Sequence, residues 1–205
     1  MNETTDQIKQ AFTAAGIPGL PAHAYQQFQT YLELLVRWNQ RISLTAVREP
    51  EQIIRRHFVE CAFAAHHLPK DIRTLLDYGS GAGLPGIPIA ICLPGTMVTL
   101  AEAHGKKAAF LREALRVLHL RGEVYDGRVE AMPDQLQFDA VAMRAVEKMG
   151  LAIPVAVERV KRYLLLFTTE QSAPAFRELT PDLEWLKSVA LPNTTQMILA
   201  IGQRT

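Results

Sequence analysis

The sequence predicts an α/β fold: a Rossmann-like, doubly wound, mostly parallel sheet preceded by a helical extension. Three observations predict it. Past residue 70, short apolar or β-branched runs alternate with helical stretches. The first of those runs ends in a cluster of glycines. Before residue 70 the pattern is helical throughout.

In chain order, a short helix covers about residues 4–15 and stops at Gly16 and Pro18. A second carries Phe28, Tyr31, Leu32 and Leu35 at i, i+3, i+4 and i+7, one face of a helix. A third runs from about Glu51 to His67, with Pro50 where a first helical turn accepts proline and Pro69 beyond its end. These three form an extension over residues 1–70, and the sheet domain spans residues 71–205. TLLDYG, MVTLAEA, EVYDGRV, FDAVAMRAV and YLLLFTT read as strands. GIPIAICL, KKAAFLREALRVLHL and MGLAIPVAVERVKR read as the helices between them. Such spacing implies parallel strands covered on both faces. LEWLKSVAL and TQMILAIGQ leave no room for a helix between them and are expected to pair antiparallel at one edge. The total is seven strands.

Composition narrows the function classes. A net charge of +1 gives no global field for nucleic acid, so any such contact must rest on local clusters. The longest apolar runs are too short to span a bilayer. The polar start MNETTDQ has no basic or apolar leader pattern, so a cytoplasmic protein is expected. Cys61 and Cys92 form no CxxC pair and sit beside no zinc-spaced histidines. Two reduced, buried cysteines and no metal are expected.

The segment LLDYGSGAGLPGIP, residues 75–88, carries the chemistry. Gly79, Gly81, Gly83 and Gly86 follow the first strand, where doubly wound sheets bind ligands. Two cofactors could use it. Gly81, Gly83 and Gly86 match GxGxxG, the dinucleotide fingerprint, which alone is a weak signal. Asp77, Gly79, Gly81 and Gly83 form an acidic residue followed by GxGxG, similar to the first motif of S-adenosylmethionine enzymes. Register favours the second: Gly79 stands at the strand end, and with Gly79 as first glycine the third dinucleotide position is Leu84. Glu102, ending the second strand, can accept ribose hydroxyls in either kind of site.

WNQRISLTAVREP (38–50), RRHFVEC (55–61), LLDYGSGAGLPGIP, AEAHGKKAAFLRE (101–113), GRVEAMP (127–133) and FDAVAMRAV (138–146) together resemble the bacterial glucose-inhibited division protein B family, the 16S ribosomal RNA guanine-N7 methyltransferases. The resemblance covers roughly residues 30–160. It implies the Class I S-adenosylmethionine methyltransferase fold, with an antiparallel C-terminal strand. It implies cofactor contacts at Gly79, Leu84, Val129, Glu130 and Arg144, beside Gly81 and Glu102 of the loop reading. Val129 and Glu130 are expected to end the third strand and Arg144 the fourth. RNA contact is expected at Arg55, Arg56 and His57, where the family's Arg-His pair falls on Arg56 and His57, and at Lys106 and Lys107 opening the next helix. The implied partner is ribosomal RNA or the small ribosomal subunit, with no membrane and a monomeric protein.

The chain departs from that family in three places. Thr168, Thr169 and Glu170 stand where a Lys-Gly pair is usual after the fifth strand, Gln196 where an arginine precedes the last strand, and Glu60-Cys61 where Asp-Ser is usual. The first two remove positive charge from places that could meet RNA. Attack by guanine N7 on a sulfonium methyl needs no general base, and no catalytic acid, base or nucleophile is expected. The readings kept beside this one are a dinucleotide-dependent oxidoreductase and a cofactor-binding relative that has lost activity on RNA.

Overall fold

The computed structural model describes residues 3–204. Its centre is five parallel strands: β1 (Thr74–Tyr78), β2 (Met97–Glu102), β3 (Gly122–Asp126), β4 (Phe138–Arg144) and β5 (Val160–Thr169). They lie in the order β3-β2-β1-β4-β5. The strand order reverses at β1, which places a crevice at its carboxyl end. At the far edge β6 (Leu183–Trp185) and β7 (Val189–Ala190) both pair antiparallel with β8 (Met197–Arg204), which itself runs antiparallel to β5.

Both sheet faces are covered, because neighbouring strand residues point to opposite sides. Leu75, Ala140 and Leu165 face one core; Leu76, Val141 and Leu164 face the other. The first core is shared with α1 (Glu3–Ala14), α2 (Ala22–Asn39), α5 (Gly86–Cys92) and α6 (Gly105–Val117). It is also shared with one long helix built of α3 (Pro50–Ile53), a π-helical turn (Ile54–Phe58) and α4 (Val59–His67). An aromatic chain joins the early helices: Phe12 on Phe28 at 5.1 Å, Phe28 on Phe58 at 5.2 Å, and Tyr31 stacked on Phe58 at 5.2 Å. The second core is covered by α7 (Met149–Glu158) and α8 (Ala173–Glu178).

Local structure differs from these expectations in five places. The third strand stops at Asp126, because the Gly127 N–H also turns back to the Tyr125 carbonyl at 3.1 Å. Val129 and Glu130 therefore sit in a 3-10 turn (Val129–Ala131), not at a strand end. The helix read as MGLAIPVAVERVKR ends at Glu158, and Val160 already pairs with Phe138 in the sheet. Buried Arg159 fixes that boundary by donating to the carbonyls of Met132 and Pro133. LEWLKSVAL forms two short strands, because pairing with β8 slips by one residue between Trp185–Gly202 and Val189–Leu199. The sheet thus has eight strands among the described residues, one more than expected. Helix α8 was not foreseen. Cys61 is buried, but Cys92 is only partly so.

Candidate functional site

The glycine loop is built from the end of β1. Gly79, Gly81 and Gly83 adopt φ of +70°, +55° and +85°, a region that L side chains avoid. The loop is tied down by three bonds: Ser80 N–H to Ala101 O at 2.9 Å, Gly83 N–H to Ser80 O at 2.7 Å, and Ser80 Oγ to Asp77 O at 3.0 Å. The glycines serve two purposes. A Cβ on Gly83 would lie 2.4 Å from Ile87 Cδ1, and one on Gly86 would lie 2.7 Å from Asp77 Oδ2. Both are glycine because the turn packs tightly on its own protein. A Cβ on Gly79 or Gly81 meets no described protein atom closer than 3.6 Å. These two keep backbone open toward a cavity.

Asp77 is a fastener rather than a ligand contact. It is buried, its Oδ2 accepts the Gly86 N–H at 3.1 Å, and burial lifts its carboxyl to about 7. Glu102 holds the loop from β2. Its Oε2 accepts the Gly81 N–H at 2.9 Å and its Oε1 the His104 N–H at 2.7 Å. Each carboxylate oxygen has a second lone pair, so both can still accept a hydroxyl.

The cavity over this loop has a volume of about 490 Å³. Gly79, Gly81, Leu84, Glu102, Val129, Glu130 and Arg144 all line it, so the fold brings all seven residues expected at the cofactor to one cavity. Glu130 reaches it through a bond from the Tyr78 hydroxyl to its Oε1 at 2.9 Å, and burial with that carboxylate raises the Tyr78 phenol. The sequence reading missed Leu44 and Thr45, which also line the cavity. Asn39 places them: its Oδ1 accepts both their N–H groups and its Nδ2 donates to the Thr45 carbonyl. An asparagine capping a short loop was the available signal.

Arg144 is neither a surface arginine nor free in the cavity. Its side chain is 12% exposed and clasped from the π-turn helix. Nη1 donates to Cys61 Sγ at 2.9 Å; Nη2 donates to Glu60 Oε2 at 2.6 Å and to the Arg56 carbonyl at 3.3 Å, and lies 3.2 Å from His57 Nδ1. The departure at Glu60-Cys61 is therefore the grip on Arg144. Burial lifts the Glu60 carboxyl, while Arg144 pulls it the other way. Burial also pushes the Cys61 thiol up to about 12, which leaves essentially no thiolate at neutral pH.

The expected RNA residues separate. Arg55 and Arg56 are exposed on the π turn, with Arg55 in a 3.6 Å surface pair with Glu51. His57 is half-buried; burial and Arg144 hold its imidazole down at about 4, so it is neutral at pH 7. Lys107 lines the cavity, whereas Lys106 beside it is exposed outside the lining. A second cavity of about 340 Å³ adjoins the first and shares His57, Arg144, Ala145 and Val146 with it. Thr168 and Thr169, in place of the usual Lys-Gly pair, are in its wall.

Residues 24–192 match the model of GidB, rRNA small subunit methyltransferase G. The chain belongs to the GidB family. A Chloroflexus aggregans protein named ribosomal RNA small subunit methyltransferase G is 41% identical over 83% of this chain and 71% of its own length. A Xanthomonas oryzae protein of the same name is 44% identical over 61% of this chain, which spans only 58% of that relative. Among solved structures, an O-methyltransferase from Bacillus cereus in complex with SAH aligns with a TM-score of 0.63 at 17% identity, covering 97% of both chains. Pyrococcus horikoshii TYW2 with MeSAdo aligns at 0.58 and 19% identity, over 73% of this chain and 62% of that one. The structural likenesses establish the Class I methyltransferase fold. Family membership, with Gly79 rather than Gly81 at the strand end, sets the dinucleotide oxidoreductase aside.

Proposed function

We propose that the first cavity holds S-adenosylmethionine and that the chain methylates N7 of a guanine in the RNA of the small ribosomal subunit. The observation that carries this reading is the Glu102–Gly81 bond under an open glycine backbone. It presents an anchored carboxylate with spare lone pairs beside Gly79 and Gly81, whose missing Cβ atoms leave the backbone open to the cavity. Such a wall fits a nucleoside whose ribose needs an acceptor. Gly79, Gly81 and Leu84 would bear on the cofactor's backbone-facing side, Val129 and Glu130 would frame its adenine, and Arg144 would close the far wall. When bound, the cofactor supplies an electrophilic methyl group on a sulfonium.

The chain's own residues do the rest by placement. Guanine N7 has a lone pair and no proton, so no side chain has to remove one. The work is alignment of acceptor and methyl donor at about 3–3.5 Å. Neutral His57 and protonated Cys61 are consistent with that economy, since neither is poised as a strong base or a covalent nucleophile. Arg144 brings a cation close to a ring that becomes cationic, and Glu60 offsets its charge at 2.6 Å. The target base leaves its stack to reach the site. Arg55, Arg56 and Lys106 at the rim and Lys107 in the wall are the phosphate contacts; His57, with Nε2 3.1 Å from Thr45 Oγ1 and Nδ1 3.2 Å from Arg144, braces the wall between the two cavities instead. No helix among the described residues is long and apolar enough to cross a membrane. We read the protein as a cytoplasmic monomer with an N-terminal extension over residues 1–70 that supports the methyltransferase domain.

Titration with S-adenosylhomocysteine against NADPH tests the cofactor. Binding of the first and not the second is expected, and the reverse would overturn the reading. Methyl transfer to small-subunit RNA then separates an active enzyme from a relative that only binds the cofactor.

A further inference from the structure

We propose that the second cavity receives the target guanine and that Glu60 selects it by accepting hydrogen bonds from its Watson–Crick edge. This inference takes its base from the guanine-N7 reading and adds the residue that recognises it. The cavity opens beside the first and shares the Arg144 wall, so a base seated there lies next to the proposed methyl donor. Phe167, Phe176, Met149 and Met197 give it aromatic and thioether surface, which suits a flat, unstacked base.

Glu60 is the one carboxylate that lines this cavity among the described residues. Its side chain is 7% exposed, and Oε2 is held by Arg144. No hydrogen bond to Oε1 occurs among the described residues, which leaves one oxygen and a spare lone pair on the other as acceptors. An ionised carboxylate accepts only. Among the four RNA bases, guanine alone presents two adjacent donors, N1–H and the N2 amino group, on its Watson–Crick edge. Adenine and cytosine each set an acceptor beside their amino group, and uracil flanks one N–H with two carbonyls. A carboxylate in this position therefore favours guanine and faces unpaired acceptors with the others. Gripping that edge leaves N7, on the opposite side of the purine, open for reaction.

The test uses GMP, IMP and AMP as probes, titrated into the full chain loaded with S-adenosylhomocysteine and followed by amide chemical shifts. IMP differs from GMP only in lacking the N2 amino group. Wild type is expected to bind GMP about tenfold more tightly than IMP, the loss of one hydrogen bond to a charged group, and AMP more weakly still. In Glu60→Gln the GMP–IMP gap should close, and in Glu60→Asp, which keeps the carboxylate, it should largely persist. If Glu60 merely positions Arg144, the variants weaken both nucleotides equally and the gap survives in Glu60→Gln; that result overturns the inference. Equal affinities for GMP, IMP and AMP in wild type, or no binding of any, also overturn it. Should Glu60→Gln fail to fold, Phe176→Ala carries the test: weaker GMP binding with S-adenosylhomocysteine affinity intact supports the site, and unchanged GMP binding removes it. Methylation of small-subunit RNA, measured separately, keeps the two claims distinct. Transfer to guanine N7 without a GMP–IMP gap sinks this inference alone, and a gap without transfer sinks the activity alone.

Discussion

Gly81 stands at φ +55°, and a Cβ there would find its nearest neighbour beyond the adjoining residues, the Gly79 carbonyl, 3.9 Å away. Space inside the protein is not the constraint; backbone conformation and the cavity are. Gly81→Val is therefore expected to cost about 1–2 kcal/mol of stability from the left-handed conformation. Its affinity for S-adenosylhomocysteine should fall at least about tenfold, read by calorimetry on the folded variant. Arg144 makes the opposite case, a residue whose loss acts through its partner. Arg144→Ala leaves the Glu60 carboxylate buried and unpaired, which should destabilise the protein by about 3–5 kcal/mol in denaturant titration. Cys61 gives Arg144 one sulfur acceptor and holds its proton up to about pH 12. Cys61→Ala and Cys92→Ala should thus retain substantial methyl transfer, and a protein–RNA crosslink through either sulfur would contradict the alignment mechanism.

At the scale of an element, the π turn decides where the site's polar groups fall. A π turn shifts the helix ladder by one residue, and here two of its carbonyls are taken up from outside. Asn193 donates to the Arg55 carbonyl and Arg144 to that of Arg56. The turn also buries His57, whose imidazole is held down at about 4. Unfolding lets it protonate, so its stabilising contribution is complete above about pH 6.5 and is lost as pH falls toward 4. Asp77, under the glycine loop, has the opposite sign. Its carboxyl is lifted to about 7, so its contribution is complete below about pH 4 and is lost as pH rises through 7. Across pH 4–7 the two oppose each other. His57→Gln should show stability that falls steadily with rising pH over that window, and Asp77→Asn stability that rises. Urea titrations at several pH values check both slopes. These elements also mark what the sequence could and could not tell. The end of β1, the glycine register and Glu102 at the end of β2 were legible because each is a local pattern. The π turn, the early end of β3 and the Glu60–Arg144 clasp were not. They depend on partners far along the chain, 84 residues apart for the clasp and 138 for Asn193 with Arg55.

The whole molecule carries a net charge of only +1, so it cannot hold RNA by its overall field. Affinity must come from a few phosphate contacts near the two cavities. Each contact removed should lower the dependence of log K on log salt by about 0.7–0.9. Arg56→Ala and Lys106→Ala are each expected to weaken RNA binding and flatten that slope while leaving S-adenosylhomocysteine affinity close to wild type. An unchanged slope in both would mean that these side chains only solvate the surface. The central claim, though, is methyl transfer itself. The most direct measurement is incubation of wild-type protein with labelled S-adenosylmethionine and unmethylated small ribosomal subunits or their RNA, followed by mapping of the methylated atom. The expected result is methyl on N7 of guanine, with Gly81→Val inactive in the same assay. Binding of the cofactor without transfer to either substrate, or methyl on any other atom, would contradict the account.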